Sequence, residues 1–136
     1  MDAREFMMSY RIACNEVDRL NERLIRANQS LLFKSTSYEG VGGGSGGSSE
    51  RTAILTATIE ELKHKLTEAE IEKALSLRQI NAIIVQLDPD EYNVMLERYI
   101  RCVSFDKIAT NYGKSFSWCH KVHAKALESV QELLNQ

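Results

Sequence analysis

Very little in this sequence breaks a helix. It has one proline, Pro89, and all but one of its seven glycines lie between Gly40 and Gly47. The exception is Gly113. With Leu, Ala, Glu, Lys and Arg filling the intervals, the chain is expected to be all-α. No apolar run approaches the ~18 residues needed to cross a bilayer, and the start MDAREFMMSY lacks a basic segment followed by a hydrophobic block. The expectation is a cytoplasmic protein with no membrane partner. Cysteines number three, Cys14, Cys102 and Cys119, each inside a helical pattern, which reads as reduced thiols used as small apolar residues and not as a disulfide framework.

Catalytic signatures are also missing. The glycine tract is not preceded by a strand and no Gly-Lys-Ser/Thr leads from it into a helix, so it is no phosphate-binding loop. Nothing resembles a Ser-His-Asp, Cys-His or paired-carboxylate arrangement, and Glu60, Glu61, Glu68, Glu70 and Glu72 fit a solvated helix face. Cys119, His120 and His123 hint at zinc, but adjacent side chains on a helix point ~100° apart and Cys119 suits a packing position. No enzyme, no metal and no cofactor are expected.

What is present is long amphipathic helix. Phe6, Tyr10, Ala13, Val17, Leu20, Leu24, Ala27 and Leu31 alternate steps of four and three, a heptad seam sustained over more than three repeats. A helix from about residue 3 to residue 32 is ~45 Å long and needs a long partner. A second seam, Leu55, Ile59, Leu62, Leu66 and Ala69, resumes at Ile80, Ile83 and Leu87 after an interruption by Lys73 and Ser76. Nearby Ile71, Leu75 and Leu77 suggest that the stripe shifts there or that a second face is buried. Residues 34–50 read as a Gly/Ser-rich flexible connector, natural or engineered, so that residues 1–87 form a coiled-coil-like helical hairpin. A homodimer with seams paired between chains is the competing arrangement.

Punctuation is clearest at residues 88–91. Asp88 is placed to cap, Pro89 to take the first helical position and Glu91 to close a capping box, which starts a separate three-helix unit over residues 88–136. Tyr92, Met95, Leu96, Tyr99 and Ile100 give its first apolar face. In the next stretch, Phe105, Ile108, Ala109 and Tyr112 precede a break at Gly113, and Cys119, Val122, Ala126 and Leu127 follow it. Small Ala109, Gly113 four residues on and compact Cys119 six further have the spacing of a helix-turn-helix whose second helix, capped by Ser115, enters the major groove.

Net charge is only −2, yet residues 98–125 hold Arg98, Arg101, Lys107, Lys114, Lys121 and Lys125 against Asp106 alone, a local +5. Such a face suits phosphate contact. The candidate DNA-binding residues are Lys114, Ser115, Phe116, Ser117, Trp118, His120, Lys121 and Lys125. Lys114 and Lys125 are expected on phosphates, and Ser117, Trp118, His120 and Lys121 at base edges. Trp118 and Phe116 are placed either in the core or against a thymine methyl group. His120 and His123 read as polar residues on or beside the DNA-facing surface.

Ile108-Ala109, Gly113, Ser115 and Ala124-Lys125-Ala126-Leu127 make the segment resemble the C-terminal, promoter-reading region 4 of bacterial primary sigma factors. Sigma-like proteins usually carry Arg and Glu at the exposed start of the second helix, where this chain has Phe116, Ser117, Trp118, His120 and Lys121, so the resemblance carries the fold and not the target sequence. A helical stalk followed by a sigma-like reader is similar to small phage-encoded regulators of the autolysin-regulatory-protein (ArpU) and RinA type. That resemblance implies a prophage late-gene activator in the bacterial cytoplasm, binding double-stranded DNA at a promoter and contacting host RNA polymerase. The alternatives are a phage small terminase subunit and a coiled-coil adaptor that does not bind DNA.

Overall fold

The computed structural model describes residues 1–39 and 46–136, with side-chain surroundings described outside residues 34–48. The fold is all-α, a long helical hairpin followed by a small trihelical helix-turn-helix region. Helices α1 (Ala3–Glu39) and α2 (Gly46–Ile84) make the hairpin. Helix α3 (Pro89–Met95) continues as a π-helical turn over Leu96–Ile100, and α4 (Phe105–Asn111) and α5 (Phe116–Leu134) complete the chain. Helix occupies 34–39 and 46–50 of the expected connector, in keeping with extension of an existing helix being far easier than nucleation of a new one. Its remainder, residues 40–45, lies outside the described residues.

The compact units do not divide at residue 87. One comprises Asn15–Ile71, the other Met1–Cys14 together with Glu72–Gln136. In the first, Val17, Leu20, Leu62 and Ala69 are buried, with Leu24, Ala27 and Leu66 half-buried against them. These are seam positions, as the heptad pattern requires. Ile71 is 55% exposed, so the stripe does not shift toward it.

In the second unit, Ala3, Phe6 and Met7 of α1 and Ile80 and Ile84 of α2 share one core with Met95, Tyr99, Ala126 and Val130. The three C-terminal helices therefore do not close this core by themselves. The hairpin's ends supply part of it. Lys73 and Ser76 are half-buried and keep the four-three step between Ala69 and Ile80, so the stripe carries polar residues there instead of moving. Leu75 is 45% exposed. Met7 and Ile84, fully buried beside the seam, widen the apolar stripe where a third layer covers the helix pair. The α1 start is tied down by a distant side chain: Ala3 N–H donates to Gln131 Oε1 at 2.8 Å, which satisfies one of the helix's free N-terminal donors.

Candidate nucleic-acid interface

The site begins with how α3 starts. Asp88 is the N-cap residue in extended backbone with Pro89 following, but its side chain makes no capping bond. Glu91 closes no capping box with it either. Its side chain is buried, lining a shallow depression with Asp88, Pro89, Asp90, Val122 and Lys125. At the other end of this helix, Arg101 N–H reaches back five residues to the Leu96 carbonyl at 3.1 Å, and Val103 N–H to the Glu97 carbonyl at 2.9 Å. Cys102 takes a left-handed φ of 56°, the job usually given to glycine, and this turns the chain into α4.

Two short-range devices then set α4 and α5. Ser104, extended at φ −69° and ψ 154°, accepts from Lys107 N–H and starts α4. Beyond Asn111, Gly113 N–H donates to the Thr110 carbonyl at 3.1 Å and Lys114 N–H to the Ala109 carbonyl at 2.8 Å, with Gly113 at φ +64°. This paired closure ends a helix in a left-handed residue. A Cβ on Gly113 would meet nothing within 4 Å, so glycine is there for its backbone and not for room. Ser115 Oγ accepts from Trp118 N–H at 3.0 Å and starts α5 immediately.

Beneath the turn, Val94, Ile108, Ala109 and Cys119 are buried together, with Val103, Phe105, Trp118 and Val122 packed around them. Ala109 and Cys119 thus occupy the crossing that their spacing assigned them. Burial pushes the Cys119 thiol up, so it stays neutral. Val94, at 0% exposure, was not legible as core, because in sequence it sits beside the Tyr92/Met95 stripe and not on it.

Of the candidate residues, Lys114, Ser115, Phe116, Ser117, His120, Lys121 and Lys125 are exposed, and Trp118 is half-buried. Trp118 is partly buried against the packing cluster, with the Lys114 ammonium 5.8 Å from its ring centroid. Ser115 spends its hydroxyl on the cap. The free face of α5 is then Phe116, Ser117, His120, Lys121, Ala124 and Lys125, while Cys119, His123, Ala126 and Val130 turn inward. The basic complement divides too. Arg101 pairs with Glu97 at 2.6 Å, and Arg98 lies 4.4 Å over the Phe105 ring. Lys107, Lys121 and Lys125 make no ion pair among the described residues. Lys125 nonetheless shares its depression with three acids, Asp88, Asp90 and Glu91, a competing attraction for any phosphate contact.

His123 is not on the surface. It is 8% exposed and shares a 2.7 Å hydrogen bond between its Nε2 and Tyr99 Oη. Burial first, and then Arg4, Arg98 and His120, push its pKa down to about 4, so the ring is neutral. Burial likewise raises the Tyr99 phenol. His120, in contrast, stands between two phenyl rings, 4.6 Å from Phe105 and 4.3 Å from Phe116 by ring centroids. The Phe116–His120 pair follows from i,i+4 spacing in the sequence; the part of Phe105 and Arg98 does not, since only the π-helical turn and the α4 start bring them there.

No protein family, curated protein or solved structure matches this chain.

Proposed function

We propose that this chain is a sequence-specific DNA-binding transcription regulator that lays the first turns of α5 in the major groove. The observation that carries this is the turn from Ala109 to Trp118. Its left-handed glycine closure and serine cap start α5 abruptly, so that Ser117 and Lys121 stand exposed, with His120 between the Phe105 and Phe116 rings, while Cys119 anchors the helix from beneath. Exposed Lys107, Lys114 and Lys121 supply the phosphate attraction that non-specific affinity requires. Arg98 to Lys125 contains one acid, Asp106, so this stretch of sequence is net positive although the chain as a whole is not.

The reading unit is larger than the helix-turn-helix. Its core requires Phe6, Met7, Ile80 and Ile84, so the DNA-binding piece is Met1–Cys14 with Glu72–Gln136. The phage resemblance extends the proposal to a late-gene promoter, with host RNA polymerase as a further partner and a homodimer reading paired half-sites. Titration of the full chain against genomic duplex fragments at low salt, followed by footprinting, tests it. A protected promoter-upstream segment is expected. Absence of binding to any duplex overturns the reading and favours the adaptor, and a packaging-site footprint favours the terminase subunit.

A further inference from the structure

We infer that Phe116 reads the C5-methyl group of a thymine in the bound duplex, held for that task by His120, Phe105 and Arg98. This inference rests on the duplex-binding proposal above and adds the chemical feature being recognised. Phe116 is 50% exposed at the first position of α5 and belongs to none of the three buried clusters. It does not project freely. Its ring meets His120 edge-on at 4.3 Å, His120 rests on Phe105 at 4.6 Å, and Arg98 covers Phe105 at 4.4 Å. Four side chains from three successive parts of the fold thus form one stack that ends in solvent at Phe116.

A stack of this kind fixes the rotamer of its outermost member, and a fixed phenyl loses little freedom on binding. On the same face stand Ser117 and Lys121, which suit polar base edges, and Ala124, whose small side chain allows close approach of the helix. Within the major groove the thymine methyl is the one apolar group that a base pair presents, and it is the natural partner of an exposed ring between polar neighbours. Of the other aromatic residues of this turn, Trp118 packs against the cluster around Ile108 and Cys119, and Tyr112 is the C-cap residue of α4.

The test uses the full chain and a site selected from a pool of random-sequence duplexes at low salt. Each thymine of that site is replaced singly by deoxyuridine, which deletes the methyl and nothing else. At one position the unmodified protein should lose about fourfold in affinity, the worth of one buried methyl. Phe116→Ala should bind the thymine and uracil duplexes equally, and Phe116→Leu, which keeps an apolar side chain, should retain the preference. Circular dichroism melts of both variants should match the parent, since the ring is half in solvent. Tight duplex binding with no sensitivity to any thymine methyl overturns the inference and leaves the DNA-binding reading standing. Equal discrimination by the parent and by Phe116→Ala overturns it as well, by assigning the methyl to another residue. Failure to select any duplex overturns both.

Discussion

The unit Asn15–Ile71 and the unit Met1–Cys14 with Glu72–Gln136 are built from the same two long helices, yet they are held together differently. In the first, the buried residues repeat at heptad spacing and every ion pair among the described residues is local: Arg19 with Glu16, Lys63 with Glu60, His64 with Glu68 and Lys65 with Glu61 lie three or four residues apart and largely in solvent. The second has two apolar clusters, a buried Tyr99–His123 hydrogen bond and a capping bond between Ala3 and Gln131, 128 residues apart. A helix pair needs only a stripe. Five packed segments need shapes that match, and shape is specified residue by residue.

The sharpest way to break this contrast is to cut the second unit where the sequence would place a domain boundary. A fragment of residues 88–136 lacks Phe6, Met7, Ile80 and Ile84 and is expected to lack a cooperative melt altogether; a folded fragment with native helicity would mean that the α1 and α2 ends merely lean on it. Next in size, Ile84→Ala, at a fully buried site, should lose about 3 kcal/mol in denaturant unfolding, against less for Leu66→Ala at a half-buried seam position. Equal losses would erase the distinction between the two cores.

The buried histidine separates the units by pH. His123 titrates near 4 when folded and near 6.5 when unfolded, so between those values the unfolded chain binds the extra proton and stability falls as pH drops. The loss from this group should reach roughly 2–3 kcal/mol by about pH 4. Melts of His123→Gln should show a shallower acid slope than the parent, and an unchanged slope would locate the sensitivity in carboxylates instead. Smaller still, Gly113→Ala should destabilise by about 1 kcal/mol, because φ +64° strains a residue with a Cβ even though open space surrounds it. At the bottom of the scale, Glu16→Gln should leave the melting temperature unchanged, since the Arg19–Glu16 pair lies largely in solvent.

Local chemistry was legible from the residues alone. Gly113 and Ser115 stop and start helices by bonds to backbone groups three residues away, so their order in the sequence was enough to place the turn and α5. Heptad spacing likewise gave Val17, Leu20, Leu62 and Ala69, and the Ala109/Cys119 spacing gave the crossing. Where the reading failed, a distant partner was responsible. Glu91 leaves its cap position for a depression beside Lys125 on α5. His123 leaves the surface for Tyr99.

The sequence by itself determined the helices, their caps and the turn, because those depend on torsions and hydrogen bonds within a few residues. Tertiary structure decided the bounds of the compact units, the burial of Val94, Ile84 and His123, and the stack of Arg98, Phe105 and His120 behind Phe116. Each of those depends on which surfaces meet, and no periodicity along one helix records what covers it.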